Sequence, residues 1–395
     1  MNKAILRPEV QEFLHDRLEE QPSAVALRRS PFDDVTAMEL AVQLDGLRRS
    51  RKKLPLWFNT PGIYFPSLLS IEQTSSSPTA LYKRSLIKKG ETVIDLTGGF
   101  GVDSYYFSTK AKEVHHCEYN VELSRIAAHN ASQLHADNII FHPVDGVAYL
   151  TSLNDAMFGT IYIDPSRRVK QQKVFRFQDC EPDVIGQLSL FLTKAEKVLI
   201  KAAPLLDIKA ALKDLQHVKE VHIVSTQNEC KELLFLLESN YTKTTDYLCI
   251  ALDQEEEKLF KFTEQQEQES KPSFSNPKKY IYEPDAALLK AGCFKYMAIA
   301  FNLCKLHQHT HLYTSDELNK SFIGRSFLIV FTERYADFKK KKESIKANVS
   351  TRNFPLKPDD LKKKHKIKDG GTDYLFFCTG LQDELLVVHC TSVKE

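Results

Sequence analysis

An apolar stretch, Val93-Ile94, runs into Asp95-Leu96-Thr97-Gly98-Gly99-Phe100-Gly101-Val102-Asp103. This is a strand ending in a carboxylate, followed by three glycines. Glycine tolerates positive φ and lets a ligand lie close to the backbone, so the segment reads as a tight strand-to-helix turn beneath a small molecule. A second strand, 113–118, closes on Glu118, about 20 residues on, where an acid can grip ribose hydroxyls. Asp145 follows a third strand, 139–144. A single acid at a strand end is ordinarily a helix N-cap. Asp95, Glu118 and Asp145 at successive strand ends predict a nucleoside-binding crevice. The dinucleotide fingerprint is incomplete, because Ser104 stands where its third glycine belongs.

The fourth strand, 160–164, ends in Asp164-Pro165-Ser166-Arg167-Arg168. Arginine forks hold phosphate or carboxylate bidentately, so this stretch predicts a clamp on the substrate; two solvated arginines on a turn are the plain alternative. Lys201 ends the fifth strand in Lys201-Ala-Ala-Pro204. Asp164, Pro165, Arg167, Arg168 and Lys201 are the catalytic candidates. Lys83 is a candidate substrate contact. So are Glu229 and Glu232, one turn apart on a predicted helix, where simple solvation would serve equally.

These residues need a frame. The 395 residues allow two or three domains at roughly 150 each. Hydrophobic content of 42% and charged content of 27% are those of a soluble globular chain. No run approaches the ~18 apolar residues of a membrane span, and the first residues lack a signal-like apolar core. Eight cysteines without CxxC pairs suit reduced, buried thiols in the cytoplasm and argue against structural zinc. His307-Gln-His309-Thr-His311 reads as exposed side chains rather than metal ligands. Residues 1–75 are expected to be helical, with Val10, Phe13, Leu14 and Leu18, then Met38, Leu40, Leu44 and Leu47, at helical spacing. The run Arg48–Lys53 reads as a solvated face, with phosphate contact as the alternative.

From 76 to 253, strands at 92–96, 113–118, 139–144, 160–164, 197–201, 220–225 and 246–252 alternate with helices. The clearest helices are 121–134, 205–215 and 229–238. This predicts an α/β domain with a mostly parallel, doubly wound seven-stranded sheet whose ligand sits at the carboxyl ends of the strands. Residues 254–280 form a hydrophilic connector. A helical and extended segment, 281–325, precedes a small α+β module, 326–395, with a basic helix, a Gly370-Gly371 turn and strands at 374–378 and 385–389.

The Asp95–Gly101 turn resembles the first motif of class I S-adenosylmethionine-dependent methyltransferases, a Rossmann-like fold, in its Asp-x-x-Gly-Gly-x-Gly form. The resemblance implies S-adenosylmethionine as cofactor. Asp95, Thr97, Gly98, Gly99, Gly101 and Asp103 would lie at its turn. Glu118 would meet the ribose with Tyr119 beside it, Asp145 with Gly146 the adenine, and Asp164 the reacting end. Amino-group methylases of this class carry Asp/Asn-Pro-Pro-aromatic; here Asp164-Pro165 is kept and arginines replace the aromatic. Uracil carbon-5 methylation needs a cysteine near the end of the fifth strand, where this chain has Lys201-Ala-Ala-Pro204. A nitrogen or oxygen acceptor is therefore favoured. Lys83, Asp164, Lys201 and Asp246 fall on elements similar to those of some ribose 2′-O-methyltransferases.

The chain also resembles a bacterial methyltransferase family carrying a C-terminal THUMP-like domain. The matching segments are Glu72-Gln73-Thr74, Ala80-Leu81-Tyr82-Lys83, Asp164–Arg168, Lys201–Pro204, Glu229–Glu232, Tyr282–Asp285 and Gly324-Arg325. They span most of residues 60–395. They imply a ferredoxin-like segment near 281–325 and a THUMP-like module after it. THUMP domains generally accompany RNA-modifying enzymes.

Residues 334–368 hold 13 Lys/Arg against four acids, a net +9 over 35 residues. A polyanion bound with steep salt dependence is the expected partner, with Lys341 and Lys363 as contacts. Tyr335, Phe338 and Phe354 are either stacking faces or core anchors. The expected function is RNA methylation, on rRNA or tRNA. The rivals are a methyltransferase for a small anionic metabolite and a non-catalytic RNA-binding protein on the same scaffold. Oligomeric state leaves no signal in the sequence.

Overall fold

The computed structural model describes residues 1–167, 177–253, 257–341 and 344–393. They form two compact units: Met1–Lys219 with Leu233–Lys243, and Glu220–Glu232 with Thr244 onward.

The first unit begins with helices α1 (Pro8–Asp16), α2 (Pro22–Ala26), α3 (Ala37–Lys53), α4 (Pro55–Asn59), α5 (Leu68–Gln73) and α6 (Ser77–Ser85). Proline opens α1, α2, α4 and α6 in the first turn, where its missing N–H costs nothing. Thr36 and Glu39 close a capping box on α3. The basic end of α3 is a paired, solvated face: Arg49 meets Asp45 and Glu72, and Arg51 meets Glu19. Leu14, Leu44, Trp57 and Phe65 share one apolar cluster with Phe100, Val102 and Ile126. The helical region thus packs directly against the glycine turn and the helices that flank it.

Strands β1 (Thr92–Asp95), β2 (Glu113–Cys117), β3 (Ile139–His142), β4 (Phe158–Ile163) and β5 (Ala195–Ala202) alternate with α7 (Val102–Ser108), α8 (Val121–Gln133), α9 (Gly146–Thr151) and α10 (Leu188–Lys194). Helix α11 (Ile208–Asp214) leads to β6 (Val218–Thr226) and β7 (Glu229–Glu238). Within this unit the strand order is β3-β2-β1-β4-β5-β7. All neighbours are parallel except β7, which runs antiparallel to β5. Val93, Ile94, Val114, Ile161, Val198 and Ile200 are fully buried, as a parallel sheet covered on both faces requires. Because β1 pairs with both β2 and β4, the order reverses there, and the carboxyl ends of these strands frame a crevice.

The predicted helix at 229–238 is strand β7. Gln227 and Asn228, with φ of 52° and 57°, form the two-residue connection that precedes it. Positive φ at both central positions is the geometry of a tight β-hairpin. Leu233, Leu234, Leu236 and Leu237 mimic helical spacing, but both faces of the strand are buried.

The second unit carries β8 (Asp246–Leu252), parallel to β6, and β9 (Glu257–Thr263), antiparallel to β8. The connector expected at 254–280 therefore includes a strand and the short helix α12 (Glu264–Glu269), where Lys258-Leu-Phe-Lys-Phe262 alternates with period two. Among the described residues this sheet has nine strands where seven were expected.

A second sheet is built from β10 (Tyr280–Pro284), β11 (Cys304–Lys305), β12 (Tyr313–Ser315), β13 (Gly324–Arg334), β14 (Asn348–Arg352), β15 (Asp373–Thr379) and β16 (Leu385–Ser392). Its order is β11-β12-β10-β13-β16-β15-β14. Helices α13 (Ala286–Ala291), α14 (Tyr296–Ala300), α15 (Tyr335–Phe338) and α16 (Pro358–His365) interleave with it. Tyr335, Phe338, Leu361 and Phe377 are buried together with Phe354 packed against them, so these aromatics are core anchors. All eight cysteines are free. Among the described residues no helix is long and apolar enough to cross a membrane.

Candidate cofactor crevice and active site

The turn after β1 is closed by its own backbone. Gly98 N–H donates to the Cys117 carbonyl at 2.8 Å, and Gly101 N–H to the Gly98 carbonyl at 2.9 Å. A Cβ at Gly98 would fall 2.3 Å from His116 Nε2, and one at Gly146 would fall 2.3 Å from the Leu96 carbonyl oxygen. Those glycines permit close packing. Gly99, at φ 55°, differs: a Cβ there would meet only the Thr97 oxygen, at 3.8 Å, so a ligand can approach its backbone.

Asp95 organises this turn from below. It is buried, and accepts hydrogen bonds from Ser104 Oγ at 2.7 Å and Thr97 N–H at 3.0 Å. Burial pushes its carboxyl up to about 7; the Ser104 bond opposes the rise and Asp103 adds to it. Glu118 stands at the end of β2, accepting from Gly99 N–H at 3.0 Å and Asn120 N–H at 2.8 Å. Burial raises its carboxyl despite these bonds. Each oxygen retains further acceptor capacity. Tyr119 beside it is largely exposed. Asp145 is exposed and caps α9 through Ala148 N–H at 2.8 Å. Accepting carboxylates beside an open glycine backbone suit the hydroxyl and amino donors of an adenosine group, so the residues present fit the expected cofactor.

The catalytic candidates meet at the end of β4. Asp164 N–H donates to Thr97 Oγ1 at 2.7 Å, and Lys201 Nζ lies 2.5 Å from Asp164 Oδ2. Pro165 is buried. Arg167 pairs with Cys180 through its backbone; its side chain and all of Arg168 lie outside the described residues.

A second ion pair lies deeper. Asp103 Oδ2 accepts from Ser75 Oγ at 2.7 Å and Tyr162 OH at 2.8 Å, while its Oδ1 is 3.3 Å from Lys83 Nζ. Lys83 is fully buried and also donates to Ser75 Oγ at 3.1 Å. Burial would raise the Asp103 carboxyl, but the Lys83 ammonium, then Lys201, then the hydrogen bonds hold it below the usual range. Lys83 is therefore a buried support, not a substrate contact, and Asp103 faces inward with it. Sequence reasoning missed Ser75 and Tyr162. Tyr162 lies on β4, two residues before Asp164, which follows the end of the strand.

The remaining candidates belong to the second unit. Glu229 and Glu232, three apart on a strand, point to opposite faces; the first pairs with Lys231 at 2.6 Å and the second is buried. The helical face they were expected to share does not exist, and Cys230 lies on the same strand. Asp246 begins β8, at the amino rather than the carboxyl end, and pairs with Lys261 at 2.7 Å. Lys83 and Asp246 are thus both engaged away from the roles a 2′-O-methyltransferase set would give them. Lys341 Nζ is 2.8 Å from Glu333, and Lys363 is exposed on α16. Among the described residues no group of three His, Cys, Asp or Glu side chains could hold a metal ion.

Residues 280–322 match a ferredoxin-like domain and residues 324–392 a THUMP domain-like module. The crystal structure of a Porphyromonas gingivalis W83 protein, provisionally named a methyltransferase, is 31% identical. It matches over 99% of each chain with a TM-score of 0.89. This chain belongs to the same methyltransferase family. The Rossmann-like class I methyltransferase fold, with an N-terminal helical region and a C-terminal α+β module, is the fold of this family member. A provisionally named methyltransferase from Streptococcus mutans in complex with SAH is 15% identical over 41% of this chain and 94% of its own, with a TM-score of 0.30. The crystal structure of the M. jannaschii tRNA m1G37 methyltransferase is 14% identical over 43% of this chain and 52% of its own, with a TM-score of 0.30. No curated protein matches the chain.

Proposed function

We propose that this family member transfers a methyl group from S-adenosylmethionine to a nitrogen or oxygen atom of RNA, rRNA or tRNA, in the cytoplasm. The observation that carries the reading is the pairing of two groups at the switch point. Glu118 is locked onto the Gly99 N–H at the end of β2, and the Asp164–Lys201 pair stands at the end of β4. The cofactor, when bound, supplies an electrophilic methyl group on a sulfonium.

The residues of the chain do the rest. Glu118 accepts from the ribose hydroxyls, Asp145 from the adenine amino group, and the exposed Tyr119 ring covers the base. Asp164 accepts the hydrogen of the attacking N–H or O–H and so turns the acceptor lone pair toward the methyl group. Lys201 orients that carboxylate, and Thr97 fixes the backbone beneath it. A thiol mechanism has little support: burial pushes the Cys230 thiol up to about 12, and thiolate is the nucleophilic form. The THUMP-like module with its +9 tract supplies the affinity for a polyanion.

The test is tritiated S-adenosylmethionine with RNA from a strain lacking the protein, the labelled nucleotide being located by mass spectrometry. Label in RNA supports the reading. Salt-insensitive transfer to a small acidic metabolite, with none to RNA, would replace it. Cofactor binding with no labelled product would favour the non-catalytic reading.

A further inference from the structure

The C-terminal sheet contains a charge arrangement that neither the methyl-transfer chemistry nor the lysine tract explains. Glu283, on β10, is buried, and two arginines converge on it. Arg325, directly opposite on β13, donates Nε to Oε2 at 2.8 Å and also bonds it through Nη2. Arg352, at the end of β14, donates Nη2 to Oε1 at 2.8 Å and Nη1 to the Thr351 carbonyl at 3.1 Å. Ser350 Oγ donates to the same Oε1 at 3.2 Å. Gly324 fixes the β10–β13 pairing, since a Cβ there would fall 2.2 Å from the Glu283 carbonyl oxygen.

A buried glutamate needs one cation to offset its burial; a second brings a further desolvation cost and a net charge of +1. Both arginines also stay open to water, with 47% of the Arg325 side chain and 32% of the Arg352 side chain exposed. Arg352 Nε is buried with no hydrogen-bond partner among the described residues. Two guanidinium groups offer about ten N–H donors between them, and the bonds named above use few. Glu283 therefore acts as a spacer that holds two forks side by side with donors to spare. Paired forks of this kind match the several oxygens of one phosphate.

We propose that Arg325 and Arg352, held by Glu283, form a phosphate clamp through which the C-terminal unit binds RNA. The clamp rests on the RNA reading above. Its ligand is a phosphate oxyanion, either an internal phosphodiester or a terminal monoester.

The test measures full-length protein binding to a 20-nucleotide RNA by fluorescence anisotropy across a salt series. The RNA carries a hydroxyl, a 5′-phosphate or a 3′-phosphate end. Arg325→Lys and Arg352→Lys keep the ion pairs but lose the forks. They are expected to weaken RNA binding roughly tenfold together, as for loss of a charge-assisted hydrogen bond, with little change in the thermal midpoint. Arg352→Gln should lower the salt slope by roughly 0.7, one phosphate contact on a single strand. Glu283→Gln should lower the midpoint while RNA affinity holds or rises. Equal binding of the three RNAs assigns the phosphodiester, and preference for one phosphorylated end assigns the monoester. Lysine variants that bind RNA within twofold of wild type would overturn the clamp and reduce the cluster to a tie between strands. Wild-type protein that binds these RNAs but transfers no methyl group to RNA would instead overturn the catalytic reading and leave the clamp standing.

Discussion

Replacing Lys83 with methionine removes a fully buried ammonium while keeping the length of the side chain. Asp103 then loses the partner 3.3 Å away, in a site with little access to water. Breaking a buried ion pair from one side costs about 3–5 kcal/mol. Ser75 and Tyr162 still donate to Asp103 and the Lys201 charge still acts on it. The loss should therefore sit at the lower end, about 3 kcal/mol.

The pH dependence carries the sharper test. In the wild type the folded-state pKa of Asp103 is depressed, so its contribution is present above the unfolded pKa and is lost as pH falls through the folded value. Without Lys83, burial dominates and pushes the carboxyl up. The variant then loses stability as pH rises. The gap between the two proteins should widen as pH rises above the unfolded value of the carboxyl, about 4. Trp57, the single tryptophan, is buried in the same unit, so its emission during urea titration reports the right transition. A gap below about 1 kcal/mol, or one that does not change with pH, would refute the assignment of a buried ion pair.

Asp95 offers a second titration. Its folded-state carboxyl is raised to about 7, so wild-type stability is lost as pH rises through the interval from its unfolded value to 7, and Asp95→Asn should gain relative to wild type over that window. Parallel denaturation curves at pH 5 and 8 that show no relative gain would count against it. Glu118→Gln places an amide donor against one of the two N–H groups that its carboxylate accepts from, and should weaken S-adenosylhomocysteine binding roughly tenfold by calorimetry. Unchanged affinity would remove Glu118 from the cofactor site. Asp164→Asn should cut kcat on RNA by roughly 100-fold or more with KM nearly constant, since it removes a proton acceptor and not a binding surface. A purely KM effect would contradict that role.

The parallel half of the sheet was legible because its strands are short apolar runs, several of which reach a charged residue at or just past their carboxyl end: Asp95 in β1, Glu118 after β2 and Asp164 after β4. The turn at Gly98–Gly101 needed those residue types for backbone reasons and could be read directly. Strand β7 was not legible. Cys230, Leu233, Leu234 and Leu237 repeat at helical spacing, and a strand buried on both faces gives no period-two signal to oppose it. The error passed to the site, because Glu229 and Glu232 share a face only on a helix. Strand β9 was hidden by its charged neighbours: edge strands carry lysines, and Lys258 and Lys261 made the segment read as a connector. Lys83 illustrates a different limit. Its burial depends on Ser75 and Asp103 meeting it from separate elements, and a lone lysine in a helix reads by default as solvated.

The central claim is that an adenosine group lies over the Gly98–Gly101 turn with Glu118 on its ribose. A crystal grown with S-adenosylhomocysteine tests this most directly. The account predicts ribose hydroxyls within hydrogen-bond reach of Glu118, roughly 2.5–3.0 Å, and a sulfur facing the Asp164–Lys201 pair. A crevice that stays empty at saturating ligand, or a ligand bound away from the turn, would contradict it.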